Sequence, residues 1–207
     1  MAAEGVHRLR AALEAHPVIA AVRDEAGLKH ALAAPVQVIF LLAAEISRLE
    51  PLGQVVAEAG KLLFIHLDFV EGLGKDEAGL SFLARHARPA GVITTRTGLV
   101  HAARRIGVIP VQRLFLLDSQ SLSTGLEAAR TAKAEVVEVL PGIVPRAISA
   151  VRSQLPNSLI IAGGLVRTEK EAARAVAAGA AGVSTSSGAL WRLDPATLQQ
   201  PDGGQTT

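Results

Sequence analysis

The chain of 207 residues contains no cysteine and no tyrosine, one tryptophan, one methionine and five phenylalanines. The missing thiols exclude disulfides and thiol catalysis and remove the usual soft metal ligands, which suits a reducing compartment. The shortage of aromatics argues against the base-stacking surfaces of the common RNA-binding modules. No apolar run approaches the roughly 18 residues of a membrane span. Residues 1–17 mix Glu4, Arg8, Arg10 and Glu14 where a signal peptide would need an apolar core. A cytoplasmic protein without membrane contact is expected. Lysine is also scarce, five against sixteen arginines, and the formal net charge is only +2. Arginine forks suit anionic partners. A GC-rich coding bias, which also raises Ala, Gly and Leu, is favoured by composition alone, and the single Asn and Met would equally suit a thermophile. His7, His16, His30, His86 and His101 show neither i,i+4 pairing nor a companion carboxylate pattern, so no metal is expected. The run Gly72-Leu73-Gly74-Lys75 lacks P-loop spacing and reads as a flexible loop.

What is present is a long alternation of apolar runs with helical stretches. Strand-like runs fall at 18–22, 36–42, 62–67, 91–95, 108–112, 136–140, 159–162 and 182–185. Eight such units favour an α/β fold, a single (β/α)8 TIM-barrel-like domain over 17–193. Its helices must be short, because the chain is at the lower end of the length range for barrels. Helical spacing is clearest at 169–178, where Thr168 caps and Glu171 completes a capping box, and it recurs at 122–132 after Asp118-Ser119 and at 146–155 after Pro145. Residues 1–16 read as a helical N-terminal extension. Residues 194–207, with Pro195, Pro201, Gly203 and Gly204, read as a disordered tail.

Strand alternation points to a site. In the third run Leu63, Ile65 and Leu67 share one face, suited to packing under helices, while Phe64, His66 and Asp68 share the other and point into the barrel. The same parity turns Glu138 inward between Val136 and Leu140, and puts Arg96 in line with Thr94 and Val92. Arg113 follows the fifth run and Arg23 the first. All six polar residues fall at strand C-termini, where barrels build ligand sites. Inward carboxylates need partners when desolvated, so the arginines form either a structural ion-pair ring or part of a functional site. His66 with a carboxylate pair could also transfer protons. In the last two units, Gly163 and Gly164 would let a phosphate approach the backbone, and Ser186 and Ser187 could offer N–H and hydroxyl donors.

Seven stretches in this order resemble the glycerol-3-phosphate-responsive antiterminators of bacterial glycerol operons: PVIAAVR (17–23), HLDFVEG (66–72), GVITTR (91–96), QRLFLLD (112–118), VVEVLPG (136–142), AGGLVRT (162–168) and STSSGALW (184–191). They span nearly the whole chain. The resemblance implies a barrel-like regulator, not an enzyme, that binds glycerol 3-phosphate as effector without a cofactor and acts on leader mRNA to prevent transcription termination. Its dianion would sit against Gly163, Gly164, Ser186 and Ser187, with Arg167 near enough to help neutralise it. The ligand hydroxyls would meet His66, Asp68 and Glu138, with Arg23, Arg96 and Arg113 fixing those carboxylates or reaching the phosphate. The chain departs from the family at Glu45, where aspartate is frequent, and in its two termini. Two other readings stay open: a phosphotriose or phosphosugar enzyme using His66, Asp68 and Glu138, and a small-molecule sensor with a protein partner. A homo-oligomer is compatible with each.

Overall fold

A computed structural model describes residues 2–198. Ten strands are β1 Val18–Val22, β2 Val38–Leu41, β3 Ala44–Glu45, β4 Leu62–His66, β5 Val70–Glu71, β6 Gly91–Thr94, β7 Ile109–Phe115, β8 Val136–Leu140, β9 Leu159–Gly163 and β10 Gly182–Thr185. Eight of them close a parallel barrel in the order β1-β10-β9-β8-β7-β6-β4-β2, while β3 and β5 pair separately as a two-stranded ribbon above it. The helices are α1 Ala2–Ala15, α2 Glu25–Leu32, α3 Leu49–Glu58, α4 Glu77–His86, α5 Thr97–Arg105, α6 Ser119–Ala132, α7 Pro145–Gln154 and α8 Glu169–Ala177. The expected α/β barrel with short helices is the observed fold.

Local chemistry sets the helix starts. Asp24 and Asp76 accept hydrogen bonds from the N–H groups of Gly27 and Gly79, and full capping boxes open α6 (Asp118 with Ser121) and α8 (Thr168 with Glu171). The core has two layers. Leu63, Ile65, Val92, Val137 and Val139 face the surrounding helices. Phe40, Phe64, Ile93, Val111, Val136 and Ile161 fill the barrel interior, where Leu9 and Leu13 of α1 join them. The N-terminal helix thus packs its apolar face into the lower end of the barrel. No helix among the described residues is long and apolar enough to cross a membrane.

Several expectations need revision. Thr94 does continue the line of Val92, but that line faces the helices, because Ile93 is the interior residue of β6. Gly91 shares the interior face and gives no apolar marker; its missing side chain admits the Phe64 ring, whose Cε1 would stand 2.2 Å from an added Cβ. Strand β4 ends at His66, so Asp68 lies in a 3-10 turn, Leu67–Phe69, instead of extending the strand face. Strand β7 runs past Gln112 to Phe115 and places Arg113 inside the strand. The stretch 72–75 is tied down, with the Lys75 ammonium donating to the carbonyls of Leu67 and Val70. Within the expected tail, Pro195–Leu198 forms a 3-10 turn and Leu198 is buried; 199–207 lie outside the described residues.

Replacing Gly91 by Ala should lower stability by about 1–3 kcal/mol through overpacking against Phe64 and the Ile109 carbonyl. Gly98→Ala in α5, where an added Cβ meets nothing within 4 Å, should be neutral or slightly stabilising. Urea unfolding of both variants provides the comparison.

Candidate functional site

The interior apolar layers end at a buried ion pair. Arg113 on β7 and Glu138 on β8 are register partners, and the Arg113 Nε donates to Glu138 Oε2 at 2.7 Å with the side chains 7% and 1% exposed. Ser184 of β10, facing Gly163 across the ladder, supplies a further hydrogen bond to the carboxylate. Burial pushes the Glu138 pKa up, while Arg113 and Ser184 pull it back by favouring the charged form. Gly163 makes this arrangement possible: an added Cβ would lie 2.3 Å from Glu138 Oε1. Its glycine character therefore serves the carboxylate, and Gly163 does not line the cavity above.

That cavity, of about 490 Å3, opens at the carboxyl ends of the strands. Its polar lining includes Arg23, Arg113, Glu138, Gly164, Arg167, Ser184, Thr185 and Ser186, and its apolar rim includes Phe115, Leu117 and Leu165. Gly164 (φ 78°) and Leu165 (φ 65°) both occupy the left-handed region, a strained conformation for leucine that leaves its side chain 60% exposed on the rim. The turn is clamped by the Gly142 N–H, which donates to the carbonyl of Gly163 at 2.6 Å. The Arg23 guanidinium has no hydrogen-bond or ion-pair partner among the described residues. Ser187 is not among the residues lining the cavity, and its N–H donates to Thr185 Oγ1 at 3.0 Å. The N–H groups of Arg167 and Thr168 are likewise engaged, both donating to Glu171 Oε2, so side chains and the 164–166 turn remain for an anion.

The other expected residues gather on the opposite side of the mouth. Asp68 accepts from Thr94 Oγ1, the Thr95 N–H and Arg96 Nε at 3.2, 3.3 and 3.1 Å. His66, 2% exposed, has no hydrogen-bond partner at either ring nitrogen; its Nδ1 is 3.8 Å from Asp68 Oδ2 and its ring packs 4.5 Å from that of Phe69. Burial lowers its pKa to about 4, the charge of Arg113 acts in the same direction and Asp68 opposes both, so the imidazole is neutral. The structure thus unites Arg23, Arg113, Glu138, Gly164, Arg167 and Ser186, and separates His66, Asp68 and Arg96 from them. Ser184 was missed, although alternation puts it in line with Ser186. Glu45 borders a neighbouring cavity of about 520 Å3 with Arg23, Arg48 and Glu71.

Fold and site define a single-domain (β/α)8 barrel with an arginine-lined cavity at its strand carboxyl ends. Residues 18–191 match the family model of the glycerol-3-phosphate responsive antiterminator, and the chain belongs to that family. It is similar to the crystal structure of a glycerol uptake operon antiterminator regulatory protein from Listeria monocytogenes, with 28% identity, a TM-score of 0.79, and 83% of this chain and 92% of the other covered. A glycerol uptake operon antiterminator-related protein from Thermotoga maritima gives 34% identity and a TM-score of 0.76 over 85% of this chain and 98% of the other. The uncharacterized protein YgcP of Escherichia coli K12 is 34% identical over 181 residues, 87% of this chain and 94% of its own.

Arg113→Ala should destabilise the protein by about 3–5 kcal/mol by stranding Glu138, and a double replacement by apolar residues, R113M/E138L, should recover much of that loss in denaturant unfolding. For His66, the unfolded state, with a pKa near 6.5, takes up the proton first as pH falls. Its contribution is therefore fully present above about pH 6.5 and declines toward pH 4, by roughly 3 kcal/mol in all. Unfolding measured across this range should show a shallower acid decline for His66→Gln; an identical decline would remove His66 as its source.

Proposed function

We propose that this protein is a glycerol-3-phosphate-responsive regulator that binds leader RNA of glycerol-utilisation genes and prevents transcription termination there. The observation that carries the ligand is the charge balance of the cavity lining: three arginines, Arg23, Arg113 and Arg167, against one carboxylate, Glu138. The surplus matches a phosphate dianion, and arginine forks match its geometry. The phosphate would lie against Arg23, Arg167, Ser186 and the 164–166 turn, and the hydroxyls of the three-carbon chain would reach down to Glu138 and Ser184. Membership of the antiterminator family supports the effector and the transcript as partner. The disposition of the acid/base candidates speaks against an enzyme: Asp68 is tied to Arg96, Glu138 to Arg113, and the neutral His66 lies outside the cavity lining.

Glycerol 3-phosphate at about 100 times its dissociation constant should stabilise the protein by about 2.7 kcal/mol, whereas glycerol should not. Arg23→Gln and Arg167→Gln should each weaken that response, the first without altering stability in the absence of ligand and the second with only a small loss from its attraction to the exposed Glu171. Thermal unfolding with both compounds decides, and equal shifts for the two would remove the phosphate from the reading. Incubation with triose and pentose phosphates followed by NMR should show no turnover; efficient conversion of any would establish the enzyme instead.

A further inference from the structure

The end of the barrel opposite the cavity carries a groove of different chemistry. Between α1, the end of α3 and the connection from α4 to β6 lies a cavity of about 330 Å3 whose charged lining is Arg8, Lys61 and Arg88, with no carboxylate. Lys61 is fixed at its back, its ammonium donating to the carbonyls of Ala34 and Val36 at 2.7 and 2.6 Å. Arg8 and Arg88 are exposed and have no hydrogen-bond or ion-pair partner among the described residues. Arg88 is held at φ 45°, where a glycine would be relaxed and a side chain is strained. A second cleft, of about 270 Å3, runs along α3 and α4 and shares Gly53, Ala57 and Arg88 with the first, so the two form one groove. On its wall the exposed His86 ring stacks on Phe82, with centroids 4.1 Å apart and planes 27° from parallel. Glu50 and Glu58 also border this part, the latter accepting from Gln54 Nε2 at 2.8 Å.

Unpartnered guanidinium groups beside a pre-stacked ring combine the two chemistries that hold single-stranded nucleic acid: cations for phosphates and a flat face for a base. We propose that this groove is the RNA-contacting surface, with backbone phosphates against Arg8, Lys61 and Arg88 and a base stacked on His86. The exposed Ala57 and Gly60 let the strand approach closely, whereas Gly53 is packed against the Ala87 carbonyl and forms the wall. This inference rests on the RNA-regulator reading and adds the location: transcript and effector occupy opposite ends of the barrel.

The test uses the full chain, a labelled leader transcript and fluorescence anisotropy across a salt series, with inorganic polyphosphate as a second probe. Arg88→Gly removes both cation and strain, so the R8Q/R88G variant should keep its fold and its thermal shift with glycerol 3-phosphate. Its RNA affinity should fall at least about tenfold, with the slope of log affinity against log salt shallower by about 1.4, for two lost phosphate contacts on a single strand. His86→Ala should weaken RNA binding about tenfold and leave polyphosphate binding unchanged. Wild-type binding with unchanged affinity and slope in R8Q/R88G overturns the proposed surface. Parallel loss of RNA and polyphosphate in R8Q/R88G, with no effect of His86→Ala, leaves a general anion site and overturns the assignment to RNA. A wild-type protein that binds no leader transcript overturns the regulator reading itself.

Discussion

The buried pair of Arg113 and Glu138 is the constraint around which the upper barrel is organised. A carboxyl group at 1% exposure is tolerable only with a fixed partner and further hydrogen bonds. Adjacent parallel strands supply the cation in register, β10 supplies Ser184, and β9 must yield space by carrying Gly163. Four consecutive strands, β7 to β10, are thus committed at one level by one buried group. Below it the interior is aliphatic and aromatic down to Leu13 and Leu9; above it the interior opens into a polar cavity. The ion pair is the boundary between the part of the barrel that is core and the part that is site.

The same pair explains how a small anion would be felt by the scaffold. On the proposed reading a dianion in the cavity would meet Arg23, which has no competing partner among the described residues, and then the field of Arg113, which is already committed to Glu138. Arg113 also acts on His66, so its charge links the cavity to the cluster of His66, Asp68 and Arg96 across the mouth. A ligand that redistributes the hydrogen bonds of Arg113 changes the stability of both sides. A ligand shifts a conformational equilibrium only by its differential affinity for the two states, so a contact with the Arg113 guanidinium would count only where it differs between them.

How far the site was legible in the sequence depends on which residues mark a strand's faces. In β4 and β8 an apolar residue precedes the polar one on the same face, Phe64 before His66 and Val136 before Glu138, and alternation alone gives the inward direction. In β6 the interior face begins with Gly91, which carries no side chain to read, and the phase is lost until Phe64 of the neighbouring strand is seen to fill the gap. The choice of Arg113 as the partner of Glu138, from several arginines at strand ends, needs the register between β7 and β8, a long-range property. The capping box of α8 was legible from Thr168 and Glu171, but not its consequence: Glu171 already occupies the N–H groups of Arg167 and Thr168 that an anion would otherwise use. The Ser187 N–H is likewise engaged, donating to Thr185 Oγ1, which leaves its hydroxyl alone of the two expected donors.

Charge placement separates the two ends of the barrel. Glutamates sit in the first turns of α2, α3, α4 and α8, and basic residues in the last turns of α2, α4, α5, α6, α7 and α8, each sign where the helix dipole favours it. Much of the arginine excess is therefore structural, as with Arg104, which donates to the carbonyls of Ala132 and Lys133 and pairs with Glu135. Arg8 and Arg88 belong to a different population, since neither lies in a helix's last turn and neither meets an acceptor among the described residues. Arg8 also adjoins Leu9, which is buried in the barrel interior that ends at the ion pair. A continuous packed column thus runs from the groove to the floor of the cavity, and packed interiors transmit strain because they lack the free volume to absorb it. On the proposed reading, effector and transcript would sit at opposite ends of this column.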